Sequence, residues 1–217
     1  MTEVSASDGS LVRVIHAARY QLQGPGGVAF DRHNIWVASN FSVTEIRASD
    51  GSLVRVITDG FTLPGGMAFD GAHMWVTDLM NGTVTEFSPS TGATIRTVNL
   101  GFIRTAGLAF DGQDLWVTDL DANEVAEVDA ATGAIVRTLS AARYGFIVPS
   151  GVIVDGSHLF VVNGGDTITE LNPDGTLVRV LSGPSYRFNG PGGSAYDGSH
   201  IWVTNETGNS VTVIQGP

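Results

Sequence analysis

Acidic and amide side chains recur in short turn-like segments of this sequence, at intervals of about forty residues. Carboxylate and amide oxygens are the ligands that hard cations such as Ca²⁺ and Mg²⁺ prefer. The alternative interpretation is plain turn chemistry, because Asn, Asp and Gly favour tight turns. The candidate binding residues of this kind are Asn40, Asp78, Asp119, Asp121, Asn163 and Asn205.

A second candidate group combines tyrosine with arginine, and an Ala-Ala-Arg-Tyr run occurs at both 17–20 and 141–144. Aromatic and guanidinium groups are typical of recognition surfaces. The alternative interpretation, which we favour, is that these aromatic rings plug the ends of the β-sheets. The candidates in this group are Tyr20, Tyr144, Tyr186, Arg143 and Arg187.

Catalytic chemistry has weaker support in the sequence. His73, His158 and His200 occupy one repeat position, so repeat symmetry separates them instead of gathering them into a metal site. The chain has no cysteine and therefore no thiolate nucleophile or thiolate metal ligand. Each repeat, described below, has four predicted strands. Glutamates on the third strand, such as Glu45, are expected to pair across the sheet with arginines on the fourth strand, such as Arg55. We predict no catalytic residue.

A repeat positions all of these side chains. The segment PGGVAFDRHNIWVASN begins at Pro25, and related segments begin near 64, 105, 149 and 191. The second glycine of each segment is spaced by 39, 41, 44 and 42 residues. Four strand signals separated by Asp-Gly turns lie within each unit, a pattern typical of propeller blades. The sequence predicts an all-β fold, a five-bladed β-propeller with four antiparallel strands in each blade.

The two chain ends share one blade in this prediction. Residues 2–15, TEVSASDGSLVRVI, match residues 44–57 at 12 of 14 positions, so they represent the second half of a blade. The unit that starts at Pro191 has three strand signals, and residues 11–15 are expected to supply its fourth. Residues 1–24 would then complete the last blade and close the ring of one domain, 1–217. Both 2–4 and 211–214 compete for the third-strand place.

The repeat GxAFDGxHxWVTN resembles that of bacterial propellers of the NHL, YVTN and streptogramin (virginiamycin B) lyase-like group. The resemblance covers nearly the whole chain. It implies a propeller fold, and for lyase-like members it implies metal-assisted elimination that uses His and Glu. The histidines of this chain are spread over its blades, which departs from that pattern.

Composition narrows the class of partner. The net charge is −11, and all eleven cationic side chains are arginine. Such a chain repels phosphate backbones and anionic lipids, so we expect neither nucleic acid nor membrane partners. The N-terminus shows no signal peptide pattern, and the sequence does not indicate a compartment. We expect a monomer. We expect no cofactor other than Ca²⁺ or Mg²⁺, for which the channel mouth is the candidate site.

Three functions are compatible with these observations. The first is a non-enzymatic scaffold or binding module, including a fragment or engineered segment of a longer repeat array. The second is a binder of a small ligand or glycan on the loop-rich face, where a protein partner would also fit. The third is a streptogramin lyase-like or lactonase-like enzyme with a divalent metal.

Overall fold

The computed structural model describes residues 1–16 and 18–216, with Ala141 described by its backbone alone. It is a five-bladed β-propeller, as the repeat predicts. Two strands precede the first blade, namely β1 (Thr2–Val4) and β2 (Leu11–Val14). Blades 1 and 2 contain β3 (Val28–Phe30), β4 (Asn34–Ser39), β5 (Ser42–Arg47), β6 (Leu53–Ile57), β7 (Pro64–Phe69), β8 (Met74–Asp78), β9 (Thr83–Phe87) and β10 (Thr94–Asn99).

The remaining three blades continue in the same order. Blades 3 and 4 contain β11 (Thr105–Phe110), β12 (Asp114–Asp119), β13 (Glu124–Asp129), β14 (Ile135–Ser140), β15 (Pro149–Val154), β16 (Leu159–Asn163), β17 (Thr167–Leu171) and β18 (Leu177–Leu181). Blade 5 contains β19 (Pro191–Tyr196), β20 (His200–Asn205) and β21 (Ser210–Gln215). A 3₁₀ turn (Ala18–Tyr20) and the short helix α1 (Ala141–Tyr144) lie between strands. None of the helices in the described part of the chain is long and apolar enough to cross a membrane.

Adjacent blades pack face to face through large side chains at one repeat position on the second strand. Trp36 of blade 1 packs with Met67, Met74 and Phe87 of blade 2. Trp75, Trp116 and Phe160 make the corresponding contacts with blades 3, 4 and 5. Trp36, Trp75 and Trp116 are fully buried, so these members of the tryptophan repeat pack between blades, as the sequence predicts.

Glycine lines the central axis because neighbouring first strands approach closely there. A Cβ added to Gly27 would overlap the carbonyl oxygen of Gly65, and one added to Gly107 would lie 2.8 Å from the Cα of Gly151. At these positions the close packing of one blade's backbone against the next requires the residue without a side chain.

The predicted completion of blade 5 by residues 11–15 is not confirmed. Blades 1–4 each have four strands, but the described part of blade 5 has three, in the order β19-β20-β21. Strand β2 pairs with β1, with Thr2 opposite Val14 and Glu3 opposite Arg13. Both candidate third strands therefore form, one at each end of the chain.

Local pairing explains this outcome. Strand β1 reaches β2 through residues 5–10 alone, so closing this hairpin costs less chain entropy than pairing the two ends of the chain. The hairpin then packs on blade 1, where Ile15 joins Val37 and Ile46 in one apolar cluster. In blade 5, Trp202 is 43% exposed, whereas the equivalent Trp36 is fully buried.

Candidate functional site

The loops between second and third strands, together with the connections between blades, lie at one end of the propeller, which we call the loop face. Asp78 ends the second strand of blade 2 there and is buried. Its Oδ2 accepts a hydrogen bond from the backbone N of Thr62 at 2.7 Å, and its Oδ1 accepts bonds from the backbone N of Leu63 and Met80 at 3.2 and 3.3 Å. This carboxylate fixes the connection into blade 2 to the loop that follows β8.

Asp119 repeats this arrangement in blade 3. Its Oδ2 accepts a hydrogen bond from the backbone N of Ile103 at 2.8 Å. Its Oδ1 accepts hydrogen bonds from the backbone N of Asp121 at 2.9 Å and the backbone N of Arg104 at 3.3 Å. Asp121 itself is exposed, and its Oδ1 lies 3.2 Å from Nη1 of Arg104. The predicted carboxylates at this repeat position thus bind backbone N–H groups of the loop face.

The amides on the list occupy related positions. Nδ2 of Asn163 donates to Thr169 Oγ1 at 3.1 Å, and Nδ2 of Asn205 donates to Thr212 Oγ1 at 2.9 Å. Both asparagines are buried, whereas Asn40 lies exposed in its turn. Only Asn40 and Asp121 of the predicted oxygen ligands face solvent.

The three candidate tyrosines share one repeat position, and their backbone carbonyls accept hydrogen bonds from third-strand threonines. Tyr20 and Tyr144 are buried, and Tyr144 stacks on Phe146 with ring centroids 5.3 Å apart. Tyr186 is half-buried and stacks on Phe188 at the same distance. These aromatic rings close the ends of the blades. Arg143 and Arg187 are exposed beside them.

Large apolar side chains that the sequence prediction did not include are exposed on the loop face. They are Phe41, Met80, Ile103, Ile147 and Val148, between 48% and 62% exposed. Phe41 and Val148 also have positive φ angles of 65° and 50°. A left-handed backbone is unfavourable for a β-branched or bulky residue, and such strain tends to be kept at functional positions.

The mouth of the central channel on the loop face is a cavity of about 570 Å³ lined mainly by first-strand glycines. Glu206 is the one carboxylate among the described residues that line it. Backbone N–H and C=O groups therefore dominate the chemistry of the mouth.

The opposite end, which we call the turn face, contains the turns between first and second strands and between third and fourth strands. In blade 1, Oδ2 of Asp31 accepts from Nε1 of Trp36 at 2.8 Å, and its Oδ1 accepts from the backbone N of Asn34 at 2.6 Å. The same Asp–Trp bond recurs in blades 2, 3 and 5. Blade 4 has Phe160 at the tryptophan position, and Oδ2 of Asp155 is buried there without a partner.

Three residues after the turn aspartate in blades 1 and 2, a polar side chain contacts the third-strand glutamate. Nδ2 of Asn34 donates to Oε1 of Glu45 at 2.7 Å, and Nδ1 of His73 lies 2.9 Å from Oε1 of Glu86. The expected arginine pairs are also present, as in Arg55–Glu45 at 2.6 Å. Burial raises the pKa of Glu45 above its ordinary value, against the opposing charge of Arg55.

In blade 2 this arrangement brings three metal-ligating groups together. Ligand atoms of Asp70, His73 and Glu86 lie within 4.8 Å of one another. The carboxylates already have partners, because Asp70 Oδ2 accepts from Nε1 of Trp75 at 2.8 Å and Glu86 Oε2 lies 2.5 Å from Nε of Arg96. The hydrogen bond from Trp75 and the ion pair with Arg96 thus already engage both carboxylates of the cluster.

Blade 3 places an acid at the donor position. Asp114 faces Glu127 there, and both are buried, with Asp114 6% exposed. Burial, with the charge of Glu127 and of Asp111, raises the pKa of Asp114 to about 6. Oδ1 of Asp114 is buried and has no hydrogen-bond partner.

A cleft of about 430 Å³ opens beside these carboxyl groups, between blades 3 and 4. Asp174, Ser157 and His158 of blade 4 form its far wall, and Arg137, which pairs with Glu127, lies at its edge. Asp114 therefore lines this cleft, and its Oδ1 lies buried beside the cleft without a partner among the described residues.

Comparison with known sequences adds the family. The sequence model of a family described as outer membrane protein assembly factor BamB matches residues 80–215, more than half of the chain. The chain belongs to this family. No curated protein matches the chain.

Solved structures similar to this BamB family member share its fold at low sequence identity. A nidogen/laminin complex aligns with a TM-score of 0.78 and 17% identity, over 98% of this chain and 84% of the other. Virginiamycin B lyase from Staphylococcus aureus aligns with a TM-score of 0.76 and 16% identity, over 100% and 73%. Kuenenia stuttgartiensis hydrazine synthase aligns at 0.73 and 18%, over 95% and 66%. The propeller fold that the sequence resemblance implies is thereby confirmed.

The span matched to the BamB family contains the acidic cleft, which the sequence prediction did not recognise as a site. The available signal was a single irregularity: Asp114 is the one carboxylate at a repeat position that holds Asn34, His73, His158 and His200 in the other blades. Glu127 was expected to form only its ion pair with Arg137. The contact between the two acids follows from the pairing of β12 with β13, which puts Asp114 near Glu127.

Proposed function

We propose that this BamB family member is a non-enzymatic binding module that holds an apolar polypeptide segment of a partner protein on its loop face. The observation that carries the proposal is the group of exposed apolar side chains Phe41, Met80, Ile103, Ile147 and Val148 at that end. Exposed apolar side chains gathered at one end of a molecule are typical of protein–protein contacts. Exposed Arg104, Arg143 and Arg187 add a residue type that is enriched in such interfaces.

The inner surface of the mouth suits an extended polypeptide. Glycine-rich first strands line the cavity and leave backbone donors and acceptors close to its surface. An extended segment could use such groups for main-chain hydrogen bonds. Its side chains would contact the five exposed apolar side chains named above, which we call the apolar rim. The buried carboxylates Asp78 and Asp119 support this use by fixing the loops that carry the rim.

The names of related proteins point in the same direction. The family description calls its member an assembly factor, and the structure with a TM-score of 0.78 is a complex of two proteins. By contrast, the tyrosine rings that would stack on a glycan are largely covered by neighbouring residues. We therefore favour a polypeptide over a sugar, and we propose that the chain itself is a monomer.

The proposal is tested by selecting peptides from a displayed random library on the immobilised protein. Selected peptides are then measured by calorimetry against the wild type and a rim variant, Phe41→Ser with Ile103→Ser and Ile147→Ser. We expect selected peptides to be rich in apolar residues and to lose about tenfold or more in affinity for the rim variant, because the truncated side chains supply the apolar contact.

A matched control replaces exposed apolar residues on the outer strands, Val136→Ser with Val178→Ser, which are 52% and 42% exposed. Binding to the control variant should equal that of the wild type. Peptides that bind the rim variant as tightly as the wild type, or a selection that yields no binder, would reject the loop face as the binding surface.

A further inference from the structure

On the turn face, blades 1 and 2 share a hydrogen bond for which blade 3 lacks the donor. In blades 1 and 2 the side chain three residues after the turn aspartate faces Oε1 of the third-strand glutamate, through Nδ2 of Asn34 or Nδ1 of His73. An amide N–H or a protonated imidazole nitrogen satisfies that oxygen. Asp114 of blade 3 is an acid, and an ionised acid cannot donate to Glu127.

The missing donor leaves an unsatisfied buried group. Only 6% of the surface of Asp114 is exposed, and its Oδ1 has no hydrogen-bond partner among the described residues. A buried carboxylate without a partner is costly, so native structures rarely keep one without a proton, an ion or a ligand to satisfy it. The oxygen belongs to a residue that lines a cleft of about 430 Å³, which is within the range of small-molecule sites.

We propose that the cleft between blades 3 and 4 binds a small organic amine, whose ammonium group donates hydrogen bonds to the carboxylates of Asp114 and Glu127. An ammonium group carries three donors and one positive charge. It would supply the donor that Asn34 supplies in blade 1 and would offset the charge that Glu127 and Asp114 place side by side.

The electrostatics of the cleft favour a cation. Four carboxylates line the cleft, against one arginine and one histidine: Asp111, Asp114, Glu127 and Asp174, with Arg137 and His158. Arg137 is already paired with Glu127 and also donates to the carbonyl oxygen of Asp174. An anionic ligand would meet net negative charge, and a neutral donor would offset none of the charge on Asp114 and Glu127.

The geometry fits an amine better than a metal ion. Among the described residues, three metal-ligating side chains come within 4.8 Å of one another at Asp70, His73 and Glu86, and not in this cleft. Calcium takes six to eight oxygen ligands, and the adjacent carboxylates of Asp114 and Glu127, with a wide space beside them, do not provide that set. The cleft also has an apolar wall, formed by Val154, Leu159 and Pro173, that a bare ion would not use.

The test measures binding of n-butylammonium at pH 7.5 by NMR titration of backbone amide shifts in the whole chain, with 1-butanol as the uncharged analogue. The wild type is compared with Asp114→Asn, which supplies its own donor as Asn34 does, and with Asp59→Asn, which removes the same charge from an exposed position outside the cleft. A third variant, Ser157→Trp, fills the cleft and leaves both carboxylates in place.

We expect saturable shifts around Asp114 with n-butylammonium and none with 1-butanol. Asp114→Asn and Ser157→Trp should weaken binding by about tenfold or more, because the first removes a buried charge partner and the second removes space, while Asp59→Asn should bind as the wild type. Equal binding by the wild type and Asp114→Asn would overturn the proposal.

Two further results would also overturn it. One is an Asp114-dependent response to Ca²⁺ or Mg²⁺ chloride with no response to n-butylammonium, which would make the site a metal site. The other is equal response to n-butylammonium and 1-butanol, which would show apolar binding alone. Because the cleft lies on the turn face, neither result bears on peptide binding at the loop face.

Discussion

The side-chain amide of Asn34 donates a hydrogen bond of 2.7 Å to Oε1 of Glu45, at the repeat position where blade 3 instead places Asp114 beside Glu127. One propeller thus contains the satisfied and the unsatisfied version of the same interaction. The blades serve as internal references for each other, so single substitutions can convert one version into the other.

Asp114→Asn is expected to stabilise the unliganded protein at pH 7.5 by about 1–3 kcal/mol, because it removes a buried charge and adds a hydrogen-bond donor for Glu127. The pKa of Asp114 is raised from 3.8 to about 6 in the folded chain. The folded state therefore holds a proton that the unfolded state has lost between these values, and stability falls as pH rises through this window. Urea unfolding at pH 4, 5, 6 and 7.5 measures the effect. If the free energy of unfolding of Asp114→Asn fell with pH as steeply as that of the wild type, another group would be titrating in this pH range.

Trp36→Phe is expected to destabilise the fold by about 1–3 kcal/mol at pH 7, because Asp31 loses a buried hydrogen-bond donor. Burial raises the pKa of Asp31, but hydrogen bonds from Trp36 and from the backbone of Asn34 and His33 outweigh it and hold the pKa below its ordinary value. The stabilisation by Asp31 is present above its unfolded pKa and is lost as pH falls. The difference in free energy of unfolding between Trp36→Phe and the wild type should therefore become smaller toward pH 3. Urea titrations at both pH values, with Asp31→Ala in a double-mutant cycle, separate the hydrogen bond from lost packing.

Trp202 is expected to behave differently from the other tryptophans because the described residues leave its face of blade 5 partly uncovered. It is 43% exposed, whereas Trp75 is fully buried. Trp202→Ala should cost under about 1 kcal/mol, and Trp75→Ala about 3–5 kcal/mol. Acrylamide should quench one tryptophan readily in the wild type and none in Trp202→Phe. Equal protection of all four indoles would mean that the N-terminal hairpin covers blade 5 in solution.

Gly27→Ala and Gly26→Ala form a matched pair at the channel. A Cβ at Gly27 would overlap backbone of blade 2, whereas a Cβ at Gly26 would meet nothing within 4 Å. Overpacking of a rigid backbone contact typically costs about 1–3 kcal/mol or more, so Gly27→Ala should lower the melting temperature by several degrees. Gly26→Ala should melt within about 2 °C of the wild type. Calorimetric scans of both variants test the close approach of first strands, and equal melting of the two would contradict it.

Most of the fold could be predicted from the sequence because the sequence repeats. Regular recurrence of Gly27 and Trp36 with Asp-Gly turns is enough to predict blades, because each blade must bury the same face against the next. The roles of Asp78, Tyr20 and Tyr144 were less accessible. Turn chemistry and recognition chemistry use the same residue types, and only the hydrogen bonds of Asp78 and the burial of the tyrosines distinguish them here.

Sequence alone determined the number of blades, the four strands of blades 1–4 and the core positions of Trp36, Trp75 and Trp116, since these follow from local patterns that repeat. Tertiary structure alone decided two features. It paired β2 with β1 and left Trp202 exposed, because the local hairpin closes a shorter loop than the two chain ends do. It also brought Asp114 against Glu127 beside a cleft, because burial and the absence of a partner are properties of the space around a side chain.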